Sequence, residues 1–286
     1  MKLTELFEKK KPMLSFEVFP PKATDGYESV KAAIRDIAKL SPDYMSVTYG
    51  AGGGTSAFTC DIAAEIANKY KINALAHLTC ISSDRETVSK QIEILKENKI
   101  ENILALRGDK TEDIKCGDFR YAAELIGEIK RHGDFCIGGA CYPEGHTESE
   151  TQREDIKHLK EKVDAGCDFL TTQMFFDNNI LYNFLYKIRE AGITVPVVAG
   201  IMPVTNPRQI KRICALSGTV LPRRFISIVD AFSNSEAQMA EAGIAYATEQ
   251  IIDLYANGVN AVHVYSMNKP YVAKKITENL KNILER

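Results

Sequence analysis

Short apolar runs recur along the chain at 13–19, 43–49, 73–80, 102–107, 135–142, 168–175, 195–202 and 260–266. Each is rich in β-branched or aromatic residues and closed by turn formers, the mark of a buried strand. Between them, apolar residues repeat at helical spacing near 27–40, 57–70, 84–98, 119–132, 151–165, 178–191 and 206–216. A longer helical stretch spans 235–257, and another closes the chain at 270–285. Strands that alternate with helices imply right-handed βαβ units and a parallel sheet. Eight such units fit a (β/α)8 TIM barrel. A doubly wound open sheet is the alternative, but no composition break or linker separates two halves. The connection 217–259 is one helix too long. The pattern therefore predicts an α/β barrel with an extra helix before the last strand, in a single domain over 1–286.

In such a barrel, chemistry belongs to the C-terminal ends of the strands. Those ends carry Glu17, Thr48 and Tyr49, His77, Arg107-Gly108-Asp109, Tyr142 with Glu144 and His146, Gln173, and Pro203. Core packing does not explain polar residues gathered at one end of nearly every strand. Glu17 stands out, because Leu14-Ser15-Phe16-Glu17-Val18-Phe19 is apolar around it and Pro20-Pro21 stops the run. A buried carboxylate costs several kcal/mol unless it is paired or its pKa shifts. The position reads as the open end of a strand in a pocket, or as a structural ion pair.

Composition narrows the partners. The formal net charge is -2, which argues against nucleic acid or an anionic membrane as the main partner. The N-terminal MKLTELFEKKKP has no apolar signal region, and no run approaches the roughly 20 apolar residues that span a bilayer. Seven cysteines are scattered without a CxxC pair, so buried thiols in a reducing cytoplasm are expected. No His/Asp/Glu spacing suggests a metal.

The other motifs admit two readings. Gly50-Ala51-Gly52-Gly53-Gly54-Thr55 follows a strand and opens a helix, but it lacks the last glycine of a dinucleotide fingerprint and the Gly-Lys of a Walker A loop. It reads as a flexible loop at the barrel top. Arg107-Gly108-Asp109 suits either a loop-tying ion pair or a ligand site where glycine lets the backbone approach closely. Asp155, His158 and Lys162 fall on one helical face, either a solvated stripe or a set of groups for ribose and phosphate. His132 and His263 read as surface and packing residues. His77 reads equally as a core histidine or a ligand contact.

Taken in order, SFEVFPP at 15–21, SVTYGAGG at 46–53, AHLTC at 76–80, ALRGD at 105–109, YPEGH at 142–146, KVDAG at 162–166, TTQMFFD at 171–177 and GIMPVTN at 200–206 resemble the methylenetetrahydrofolate reductase family. The resemblance spans nearly the whole chain. It implies a (β/α)8 flavoprotein that reduces 5,10-methylenetetrahydrofolate to 5-methyltetrahydrofolate, in the one-carbon metabolism that supplies methionine. It also implies bound FAD, NADH or NADPH as electron donor, and a homo-oligomer or a complex with a partner subunit. By position, Glu17 matches the catalytic acid, and Asp109 the acid between flavin and pterin. Gln173 and Gln209 match folate contacts, as does Lys269, which replaces an arginine. Thr48, Tyr49, Ala51, His77, Arg107, Gly108, Asp109, Ala122, Tyr142, His146, Asp155, His158 and Lys162 match positions lining FAD. Further departures are Ile213 for a stacking phenylalanine, Glu161 for an arginine and His158 for an asparagine. Two other readings are a flavin-free, pterin-binding barrel methyltransferase and a subunit of a larger one-carbon reductase complex.

Overall fold

The computed structural model describes residues 1–21, 26–49, 56–108 and 117–284, apart from the side chains at 56, 57, 209, 211, 212 and 216. Eight parallel strands close into a barrel in chain order: β1 (Met13–Val18), β2 (Tyr44–Val47), β3 (Asn73–Thr79), β4 (Asn102–Leu106), β5 (Cys136–Cys141), β6 (Phe169–Thr172), β7 (Val197–Ile201) and β8 (Ala261–Val264). All eight expected runs are strands, one to four residues shorter than read, because pairing stops before the apolar character does. β8 returns to β1, with Met13 opposite Ala261 and Phe16 opposite Val264.

Twelve helices occur among the described residues: α1 (Leu3–Phe7), α2 (Tyr27–Ala38), α3 (Ser56–Asn68), α4 (Arg85–Glu97), α5 (Ala122–His132), α6 (Gln152–Asp164), α7 (Asn178–Glu190), α8 (Pro207–Ser217), α9 (Arg223–Phe232), α10 (Glu236–Ala256), α11 (Pro270–Asn279) and α12 (Lys281–Leu284). The surplus helix expected before the last strand is α9. Phe225 and Val229 are its buried residues. The closing helix 270–285 is divided at Leu280, the C-cap of α11. α1 is too short for periodicity to reveal.

Side chains alternate along every strand. On β1, Leu14, Phe16 and Val18 pack outward against the helices. Met13 points inward, into a separate apolar cluster with Tyr44, Leu75, Leu104, Cys136, Phe169, Val198 and Ala261. α1 plugs this end of the barrel with Leu3 and Leu6. Asn102 ties the plug down, accepting from Leu3 N at 2.8 Å and donating to Met1 O at 3.3 Å. A third cluster lies beyond the other end of β6 and β7, where Phe225 of α9 stacks on Phe176 at 4.9 Å and meets Tyr246 of α10 at 4.5 Å. It holds α8 over that side of the mouth.

Candidate active site

The inward register that begins at Met13 brings Ser15 and then Glu17 into the barrel interior, in steps of two. Glu17 ends up 7% exposed, and burial raises its pKa from 4.5 to about 8. His77 of β3 faces it with Nε2 3.7 Å from Glu17 Oε2. That distance exceeds a hydrogen bond. Burial also lowers the imidazole from 6.5 to about 3. Both side chains are therefore neutral at pH 7: a protonated carboxyl beside an uncharged imidazole, not an ion pair. His77 Nε2 is a buried polar atom without a hydrogen-bond partner among the described residues, which leaves bonding capacity aimed at the mouth.

Below this pair the interior is polar and centred on His263. His263 Nδ1 lies 2.7 Å from Ser15 Oγ, and Nε2 2.8 Å from Ser46 Oγ. Ser15 Oγ donates to Val262 O at 3.0 Å, so it accepts from Nδ1–H and Ser46 donates to Nε2. Tyr44 stacks on the ring at 5.2 Å, and Tyr265 meets it edge-on at 5.7 Å. His263 is the packing residue that its strand context suggested. Tyr265 reaches across β7 to donate to Thr172 O at 2.6 Å. Gly200 makes the crossing possible, since a Cβ there would lie 2.4 Å from both the tyrosine hydroxyl and Thr172 O.

Cations gather on the other side of the mouth. Arg107, just past β4, forms a forked pair with Glu148 at 2.9 and 2.5 Å. Gly108 follows with φ +92°, a left-handed conformation that glycine adopts without strain. Lys162 of α6 donates to Ala140 O at 2.6 Å, and burial lowers its pKa. Asp155, on the same face, is buried and its carboxyl is shifted upward. Tyr142 and His146 form an edge-to-face pair at 4.6 Å, and burial followed by the Arg107 charge lowers the His146 pKa. His146 Nδ1 accepts from Glu148 N at 3.1 Å. Glu144, one of the strand-end residues, accepts from Val220 N at 3.0 Å and so ties the β5 loop to the segment between α8 and α9.

Several expected residues fall nearby. Thr48 and Tyr49 follow β2, with Thr48 O accepting from Thr59 Oγ1 at 2.9 Å. Ala122 opens α5 and is buried. Gln173 follows β6, its main chain bonded to Cys141 O at 2.7 Å and its side chain to Met174 N at 2.9 Å. Lys269 precedes α11 and donates to Thr205 Oγ1 at 2.6 Å. His158 sits apart from Asp155 and Lys162: it is exposed on the outer face of α6, 3.2 Å from Glu161 and 3.9 Å from Glu154. Ala51 and Asp109 lie outside the described residues, as does the Gln209 side chain. Ser266 and Asn268, which bond the main chain of the Glu17 segment, escaped the sequence reading. The signal available was an asparagine four residues past the end of β8.

Among the described residues no group of His, Cys, Asp or Glu is arranged to hold a metal ion, and no helix is long and apolar enough to cross a membrane. Two cations, an orphaned imidazole nitrogen, a close-approach glycine and an aromatic pair instead suit a large anionic ligand with a planar head. With the neutral carboxyl of Glu17 at the same mouth, these features define a (β/α)8 barrel with a buried acid at the C-terminal ends of its strands.

The comparisons with known proteins name the family. The family model for methylenetetrahydrofolate reductase matches residues 2–281, and the chain belongs to that family. It is 33% identical to the 5,10-methylenetetrahydrofolate reductase of Pectobacterium carotovorum over 93% of this chain and 89% of the relative. It is 32% identical to the methylenetetrahydrofolate reductase (NADH) 1 of Arabidopsis thaliana, over 98% of this chain and 50% of the relative. The chain thus spans about half the length of its plant relative but most of the bacterial one. A Clostridium thermocellum protein described as binding two copies of 5-methyl-5,6,7,8-tetrahydrofolic acid shares the fold, with a TM-score of 0.67 at 12% identity and full coverage of both chains.

Proposed function

We propose that the chain reduces 5,10-methylenetetrahydrofolate to 5-methyltetrahydrofolate, that FAD is its cofactor, and that the span 1–286 acts as one catalytic unit. The observation that carries this reading is Glu17, a carboxyl kept protonated near neutral pH by burial at the barrel mouth. The substrate's five-membered ring must open before its methylene carbon accepts hydride. Opening breaks the bond from that carbon to N10, and N10 needs a proton as the bond breaks. A carboxylic acid with a pKa of about 8 holds that proton at pH 7 and releases it on demand. Neutral His77 beside it adds no positive charge, which would ionise the acid early.

Arg107 and Lys162 would supply charge for the cofactor's phosphates, and His77, Tyr142 and Asp155 would supply further polar and aromatic contacts to it. When bound, the flavin supplies the hydride. Asp109, Gln173, Gln209 and Lys269 are assigned to the folate. NADH or NADPH is the proposed electron donor, and a homo-oligomer the proposed assembly.

The test is Glu17→Gln in flavin-loaded protein. It should lower folate reduction by about 10²–10⁴-fold while leaving flavin reduction by the donor nearly intact. Folate turnover within a few-fold of wild type would refute the acid. A protein that takes up no flavin on incubation with FAD would refute the cofactor, and would favour a pterin-binding methyltransferase.

A further inference from the structure

The turn between β8 and α11 is strained, and its strain has a visible return. Met267 and Asn268 are consecutive residues in the left-handed region, with φ of 55° and 53°. Left-handed backbone is unfavourable for an L-residue, and asparagine tolerates it better than methionine does. Such geometry persists only where the surroundings impose it. Here it presents the Asn268 amide edge-on to the main chain of Phe19. Phe19 N–H donates to Oδ1 at 2.8 Å, and Nδ2 donates to Phe19 O at 2.9 Å. Two residues before, Ser266 Oγ donates to Glu17 O at 3.1 Å.

The last residue of β1 in register with β8 is Phe16, opposite Val264. Beyond it, Ser266 and Asn268 replace the missing main-chain partners of Glu17 and Phe19. Pro20 and Pro21 then follow with no N–H to anchor the strand end themselves. Glu17 therefore sits on a segment whose β8 side is held by two side chains.

We propose that Asn268 is a positioning residue for the Glu17 acid: its paired bonds to Phe19, with the Ser266 bond to Glu17, fix the end of β1 so that the carboxyl stays buried against His77. This rests on the reading of Glu17 as the acid. The titratable groups around that carboxyl, among the described residues, are His77 on β3, Tyr44 on β2 and Tyr265 just past β8, with His263 between the two tyrosines. The one charged group on the turn itself is Lys269, held on Thr205. Burial keeps both imidazoles uncharged and both phenols protonated at pH 7. A changed Glu17 titration then reports hydration of Glu17 itself.

The experiment uses Asn268→Gly, which suits the left-handed backbone but removes the clasp. The infrared carbonyl band of the protonated carboxyl, assigned by its loss in Glu17→Gln, is titrated against pH in the full chain. Folate reduction is followed in parallel. The midpoint should fall by about one pH unit, the tenfold change in ionisation that hydration of the site would bring. Folate reduction should slow by a similar factor, with the melting temperature nearly kept. A wild-type midpoint and rate in Asn268→Gly, while Glu17→Gln abolishes folate reduction, overturns the positioning role and leaves the acid standing. Full folate turnover in Glu17→Gln removes the acid, and this proposal with it. Should Asn268→Gly melt far below wild type, Ser266→Ala leaves the turn backbone alone and decides the question: a lowered midpoint supports the clasp, and an unchanged one overturns it.

Discussion

The two ends of the barrel are made by the same strands and differ in almost everything else. At the floor, Met13, Leu75, Leu104 and Phe169 close around Leu3 and Leu6 of α1, and the buried polar atoms of Asn102 are bonded. At the mouth, two or four residues further along those strands, Glu17 and His77 are buried without meeting in a hydrogen bond, and Lys162 of α6 is part-buried with its charge disfavoured. The floor is packed to be stable. The mouth holds Glu17 in an ionisation state that water would not give it, which is costly for the fold and useful for chemistry. Conditions or substitutions that act on one end should leave the other's signature unchanged.

The sharpest contrast pairs Glu17→Gln with Leu3→Ala. The first should remove most folate turnover, as stated above, yet keep or raise the melting temperature, because it relieves a buried ionisable group. The second deletes a fully buried side chain from the floor and should cost about 2–5 kcal/mol in denaturant unfolding. Its folate turnover per folded molecule should match wild type. A Leu3→Ala protein that stays folded but loses turnover would show the two ends to be coupled.

The pH dependence of stability separates them again. Folded Glu17 keeps its proton up to about pH 8, whereas the unfolded chain releases it above about 4.5. The folded state binds more protons in this window, so the Glu17 contribution is fully present below pH 4.5 and is lost as pH rises through about 8. For His77 the folded pKa of about 3 lies below 6.5, so its contribution is present above pH 6.5 and is lost as pH falls towards 3. Denaturant midpoints measured from pH 3 to 9 should show Glu17→Gln flattening the alkaline limb and a neutral replacement of His77 flattening the acid limb. Leu3→Ala should shift the whole curve without reshaping it.

Within the mouth, the cationic side should answer to the cofactor alone. Lys162→Ala should weaken flavin retention by about 1.5–3 kcal/mol through a lost charge-assisted bond, measured by flavin release on dilution. The pH midpoint of the Glu17 carboxyl should stay put. The smallest effect is expected at Ile213 on α8, part-buried against the Met174–Phe225 cluster. Ile213→Phe should improve flavin reduction by NADH by no more than about tenfold, the value of one added aromatic contact. Rapid wild-type reduction at low NADH, with no gain in the variant, would remove Ile213 from the account of donor choice.

Much of this was legible in the sequence, for reasons that differ by element. The eight strands show because parallel strands are buried on both faces and read as continuous apolar runs. Glu17 shows because a carboxylate interrupts such a run. The ten-residue α9 was legible only as surplus length in the connection 217–259. His158 reads as the equal of Asp155 and Lys162 on a helical wheel, but only the structure reveals which edge of that stripe meets the barrel. The clasp at Asn268 was hidden for a simpler reason: its partner, Phe19, lies at the far end of the chain, and nothing local to either residue announces the pairing.

That separation also bears on how the protein comes to be made. The bonds joining Asn268 to Phe19 link residues 249 positions apart, and Ser15 meets His263 across 248. Contacts this distant in sequence form slowly, because the loop they close costs entropy before they return anything. A growing chain emerges N-terminus first. β1 is therefore complete long before its β8 partner exists, and until then one edge of β1 is an open strand edge. The segment bearing Glu17 reaches its final surroundings only after residue 268 has been added, so the acid site is among the last parts of the molecule to be finished.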